Sequence, residues 1–200
     1  MSIGKGFADP VRDSQRVFRQ ILRANSNPGD IVDLGGGIEP PPGLPPAAAA
    51  VLLTLADIDT PIWMSVQLAN ICHRWLAFHS GAPLASAPSA SVFAIVDASA
   101  DASLPTDFNA GDDRYPDRST TVIVLCRALD GGSVVEISGP GINGKRSIRP
   151  TGPAERFWRA MIANNALFPR GADVLLVAGS QLMALPRSLT LRLPERQPCT

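Results

Sequence analysis

The chain has 200 residues, with 45% hydrophobic residues and a formal net charge of zero from 18 basic and 18 acidic side chains. Such a chain can bury a core and is not intrinsically disordered. The balanced charge argues against a protein whose main work is wrapping nucleic acid, because counterion release needs a surplus of Lys and Arg.

Asp9-Pro10 opens the first predicted helix, a side-chain cap followed by a residue whose missing N–H costs nothing at the first helical position. Val11, Phe18, Ile21 and Leu22 recur at helical spacing, and NSNPG at 25–29 ends the helix in a turn. A short strand is expected over 31–34. GGGIEPPPGLPP at 35–46 is a long loop whose prolines permit neither helix nor central strand. A buried helix follows over 47–56, then a strand over 62–64, a helix over 68–78 closed by Gly81, and a strand over 92–96.

Residues 97–119 are polar, carry six Asp, and suggest a short helix and a surface loop. Strands over 120–129 and 134–138 are joined by Asp130-Gly131-Gly132-Ser133, a hairpin signal. An amphipathic helix is predicted over 154–166 with Phe157, Met161 and Ile162 inward. A second hairpin joins strands 173–178 and 181–185 through Gly179-Ser180. Helices alternating with apolar strands point to an α/β fold with a mixed sheet covered on both faces. A single domain over 1–200 is expected, its core about 7–190 and a mobile tail at 194–200.

Several motifs carry candidate chemistry. Gly139, Gly141 and Gly144 match G-x-G-x-x-G after a strand, but KRSIRPTGP at 145–153 will not form the helix that a dinucleotide site needs. With Lys145, Arg146 and Arg149 nearby, the glycines make either an anion-binding loop or a tight loop after an edge strand. Arg12, Arg16, Arg19 and Arg23 form one helical stripe, either a phosphate- or partner-binding face or a solvated one. Asp173 and Arg187 flank the second hairpin, either as a structural pair or as a functional group at the end of the sheet.

His73 and His79 fall on different helix faces, which argues against a metal site there. Asp57 and Asp59 read better as turn caps than as metal ligands or an acid–base pair. Asp107 and Asn109 begin like a calcium loop, but Gly111 and Arg118 break the pattern. Cys72, Cys126 and Cys199 have no metal-knuckle or redox spacing, and the first two read as small core residues in a chain of reduced thiols. The N-terminus shows no apolar signal region, and no uncharged apolar run reaches the roughly 20 residues of a membrane span. A soluble, cytoplasmic protein is expected.

Taken in order, DPVRDSQRVFRQIL followed by NPG, VLLTLADIDTPIW, GPGI at 139–142, and FPRGADVLLVAGSQLMALPRS resemble the PhnH family of the carbon–phosphorus lyase system. The likeness spans about residues 7–190. It implies a subunit of a phosphonate-activating assembly, with PhnG-, PhnI- and PhnJ-like partners, in which a phosphonate displaces adenine from ATP to give a ribose 1-phosphonate 5-triphosphate. It also implies a three-layer α/β/α sandwich like the large domain of pyridoxal-phosphate transferases, and a homodimer. The residues themselves argue for an accessory role. Neither lysine is placed for a Schiff base, so no pyridoxal phosphate or other cofactor is expected in this chain. A ligand site, from local chemistry, would use Gly139, Gly141, Arg146 and Arg187. Partners would use Arg12, Arg16, Arg19 and Arg23. The rivals are a stand-alone pyridoxal-type transferase and a phosphonate- or nucleotide-binding module.

Overall fold

In a computed structural model that describes residues 3–98 and 104–194, a six-stranded sheet runs through the middle of the molecule. Its strands are β1 (Ile31–Asp33), β2 (Ile62–Met64), β3 (Phe93–Asp97), β4 (Thr121–Leu125), β7 (Asp173–Ala178) and β8 (Gln181–Leu185). They lie in the order β1-β8-β7-β4-β3-β2. Strands β2, β3, β4 and β7 are parallel; β8 and β1 close the other side antiparallel. A separate three-stranded antiparallel sheet, in the order β6-β5-β9, is made of β5 (Val135–Ser138), β6 (Arg146–Ile148) and β9 (Thr190–Arg192).

The pleat sends alternate side chains to opposite faces, and here both faces are covered. On one face Ile62, Ile95, Ile123, Leu175 and Val177 meet helices α1 (Pro10–Ser26), α2 (Pro46–Leu55) and α3 (Val66–His79). On the other, Val96, Val122, Val124, Val174 and Leu176 meet α4 (Glu155–Asn165) and the small sheet. The three layers are therefore helices, sheet, and a mixed layer of one helix and three strands.

Helices α1, α2 and α4 show why they form where they do. Asp9 caps α1 by accepting from the Arg12 N–H at 3.1 Å, with Pro10 at the first position. Helix α2, PAAAAVLLTL, is apolar all round, and residues 47–52 are fully buried. It has no side-chain cap; the Ala47 N–H instead donates to the Gly179 carbonyl in the β7–β8 turn at 2.9 Å. Asn164 closes α4 onto β7: its amide donates to the Ala172 carbonyl at 2.9 Å and accepts from the Ala172 N–H at 2.7 Å. Among the described residues no helix is long and apolar enough to cross a membrane.

The structure corrects the sequence reading at several points. No β4–β5 hairpin forms: β4 is a parallel strand between β3 and β7, whereas β5 lies in the other sheet. Val122, Ile123 and Val124 are all fully buried, as a strand with both faces covered requires. The Asp130–Ser133 turn reverses the chain against residues 149–151, through Gly132 N–H to Arg149 O at 2.7 Å and the Ala128–Thr151 bridge. In α4 the inward residues are Phe157, Trp158 and Met161, while Ile162 is 40% exposed. In the acidic segment the short helix expected is found as two 3-10 helices, at Pro105–Asp107 and Pro116–Arg118. Residues 99–103 of that segment and 195–200 of the expected tail lie outside the described residues.

Candidate functional site

The motifs at the end of α1 and at the glycine loop meet in space. Gly141 has φ +81°, and a Cβ there would collide with the Ser26 carbonyl oxygen and approach Pro28. Only glycine lets the β5–β6 loop seat on the Ser26–Gly29 turn. Arg146, at the start of β6, reaches the same turn. Its guanidinium pairs with Asp30 and donates to the Pro28 carbonyl at 3.0 Å. Gly139, with φ +140°, packs instead against Ser188 and Leu189.

A cavity of about 360 Å³ adjoins this joint, with Gly29, Ile31, Asp130, Ser147 and Arg149 among its walls. Arg149 is exposed at its edge, and Asp130 and Ser147 add an acceptor and a hydroxyl. The chain leaves the glycine loop into strand β6 and not into a helix, so the backbone offers no helix N-terminus to a pyrophosphate.

Arg187 is placed elsewhere. Its Nε donates to both Asp173 carboxylate oxygens at 3.1 Å, its Nη1 donates to the Pro116 carbonyl, and its side chain is only 15% exposed. Of the two readings of Asp173 and Arg187, the geometry is that of a paired clamp between the β7–β8 hairpin and the 116–118 turn. The two guanidiniums among the candidate ligand residues are thus held by different carboxylates, Asp30 and Asp173.

The four arginines of α1 also diverge. Arg16 turns inward, donating to the Leu34 carbonyl at 2.6 Å, and lies 3.7 Å from Asp13. Arg12 is exposed and stands 3.6 Å from Asp9. Arg19 and Arg23 are exposed and face no carboxylate among the described residues.

The remaining reactive groups are tied into structure. The Cys72 thiol is pushed up to about 11 by burial. The Cys126 thiol, half-buried at the end of β4, is pushed up to about 12 by burial and by the Asp97 charge. Both stay protonated at neutral pH and are weak nucleophiles. Asp57 accepts from the Asp59 N–H and from the Thr60 hydroxyl, closing a turn. His79 Nε2 and Trp75 Nε1 both contact the Gly4 carbonyl, at 2.9 and 3.1 Å, and strap the N-terminal segment across α3. Lys145 pairs with Glu136 at 2.7 Å, and Lys5 with Glu39 at 3.4 Å. Among the described residues no three His, Cys, Asp or Glu side chains are placed to hold a metal ion. The hydroxyls that meet carboxylates among the described residues, Thr60 on Asp57 and Ser180 on Asp33, lie in exposed turns.

Residues 5–192 match the model of the family described as bacterial phosphonate metabolism protein (PhnH). The chain belongs to the PhnH family. It is 40% identical over 186 residues to the alpha-D-ribose 1-methylphosphonate 5-triphosphate synthase subunit PhnH of Rhizobium meliloti (strain 1021), covering 92% of this chain and 93% of that protein. It is 27% identical over 179 residues to "Putative C-P lyase subunit protein HtxG" of Stutzerimonas stutzeri, covering 90% of this chain and 86% of that one. In this PhnH-family chain, NPG, GPGI and Arg146 form a single structural joint. The sequence alone presented them as separate motifs, and the signal that unites them is steric: the glycine at 141 matches the proline turn at 28.

Proposed function

We propose that this chain is a subunit of a multi-subunit phosphonate-activating assembly of the carbon–phosphorus lyase type, with PhnG-, PhnI- and PhnJ-like partners, acting in the cytoplasm as a single-domain homodimer. The assembly transfers ribose 5-triphosphate from ATP to a phosphonate and releases adenine. The observation that carries this reading is the match over nearly all of both chains to a protein named as a synthase subunit. The local chemistry supports an accessory role, since the thiols are held protonated and Arg146 and Arg187 already have carboxylate partners.

Likeness to the large domain of pyridoxal-phosphate transferases is proposed for the layer order alone. Both lysines sit on exposed ion pairs, which supports a chain without a Schiff base. An absorbance scan with added pyridoxal phosphate tests this: a band lost in Lys145→Ala would favour the transferase rival. Gly139, Gly141, Arg146 and Arg187 are proposed as contacts for anionic groups within the assembly, with Arg146 and Arg187 at separate points. Each arginine would then bind its anionic group while keeping or exchanging its carboxylate. Titration calorimetry with ATP and with methylphosphonate, on the chain alone and in the assembly, tests it; heat that appears only in the assembly is expected.

The decisive experiment is co-expression with PhnG-, PhnI- and PhnJ-like subunits. A stable assembly containing the chain is expected on gel filtration. Elution apart from every other subunit in mild salt, or turnover of ATP and phosphonate by the chain alone, overturns the subunit reading.

A further inference from the structure

One face of helix α1 is buried by the fold, and much of the rest is exposed. Val17, Ile21 and Ala24 are buried against the sheet. Val11, Phe18 and Leu22 are 80, 44 and 49% exposed. At spacings of seven and four they line up as one apolar ridge on the outside of the helix. Beside it, about 100° round the helix axis, runs a cationic row of Arg12, Arg19 and Arg23, all exposed. Arg19 and Arg23 have no carboxylate partner among the described residues, whereas Arg16 of the same stripe is tied to Leu34 and Asp13. Exposed Phe18 beside arginines without carboxylate partners matches the aromatic and Arg enrichment of interfaces, and Val11 and Leu22 extend its apolar area.

From this we infer that the outer face of α1 is the docking surface for a partner polypeptide whose contact segment pairs an apolar ridge with a row of Asp or Glu. The inference rests on the subunit reading above and names the surface that such a reading needs. Charge complementarity selects the partner. Apolar side chains of the partner cover Val11, Phe18 and Leu22, and its carboxylates pair with Arg19 and Arg23, bidentately where the geometry allows. A second copy of this chain fits poorly. Antiparallel self-pairing through the ridge, about a two-fold axis, would set the arginine row of one copy beside that of the other, and like charges so placed oppose association.

The test uses the full chain co-expressed with the other subunits. Two double variants are compared with wild type, Phe18→Ser with Leu22→Ser and Arg19→Glu with Arg23→Glu. Each is expected to weaken incorporation at least tenfold. Added salt should weaken the wild-type assembly but not the residual binding of the charge-reversed variant. Hydroxyl-radical footprinting of the unmutated assembly should protect Phe18 and Leu22 relative to the free chain, which keeps the test valid should a variant misfold. If the wild-type chain joins no assembly, the subunit reading falls and takes this inference with it. If it assembles but the variants assemble equally well and the footprint is unchanged, this inference alone is overturned. It is also overturned if the ridge variant instead abolishes a dimer of the isolated chain, or binding to phosphatidylglycerol vesicles.

Discussion

Arg187 shows how much one side chain can tie together. Its guanidinium joins the Asp173 carboxylate to the Pro116 carbonyl, so the start of β7, the end of β8 and the turn before β4 share one fork. Replacing it with Ala leaves Asp173 without its partner in a half-buried setting. The expected loss is about 3 kcal/mol, read from urea unfolding midpoints. Arg187→Lys should recover only part of it, because an ammonium cannot span both acceptors. The thiols give a pH dependence of definite sign. In the folded chain Cys72 and Cys126 hold their protons to about 11 and about 12, against an ordinary value of 9.0. Above pH 9 the folded state therefore binds more protons than the unfolded one, and stability falls as pH rises. Denaturation midpoints measured between pH 8 and 10.5 should decline, and Cys126→Ala should flatten part of that slope. Iodoacetamide at pH 8 should label neither thiol quickly until the chain is unfolded. Apolar neighbours in the sequence suggest a core place for both cysteines. Cys72 is fully buried, but Cys126 is only half-buried, since it stands one residue past β4 where the sheet ends.

Elements that rest on local rules were readable from the residues. Asp9-Pro10 starts α1, β2 spans Ile62–Met64, and Gly179-Ser180 turns β7 into β8. Elements that depend on distant partners were not. Asp130–Ser133 has the chemistry of a hairpin turn, but nothing nearby records that β4 finds both its neighbours far away in sequence. The same holds for α4, where Trp158 is buried and Ile162 exposed: the small sheet decides which apolar side chain is covered. In α1 the apolar repeat divides between two faces, and helical spacing alone could not say that Phe18 and Leu22 point away from the core. The candidate site was legible as motifs but not as an arrangement. Asp173 and Arg187 flank one hairpin, so their pairing is legible in the sequence, whereas the carboxylate that holds Arg146, Asp30, lies far off in the chain. The glycine joint offers a paired test. Gly141→Ala meets both an unfavourable φ and the Ser26 carbonyl, whereas Gly144 has φ +76° and open space. Gly144→Ala should cost about 1 kcal/mol and Gly141→Ala clearly more, as measured by thermal or urea unfolding. Equal costs would mean that the loop does not seat on α1.

Across the molecule, two apolar clusters press on opposite faces of one sheet, and β4 and β7 lie at its centre with neighbours on both sides. Native-state hydrogen exchange should be slowest at 122–124 and 174–177, and faster at the edge strands β1 and β6. Comparable rates everywhere would argue against this layering. Between β4 and β7 the chain makes its longest excursion, building β5, β6 and α4 before it returns to the sheet. That excursion is anchored at its far side by the rest of Gly141 on Ser26 and by the grip of Arg146 on Asp30. The end of α1 is therefore braced from behind. Anything that holds the last turn of α1 is then a single contact away from the second sheet.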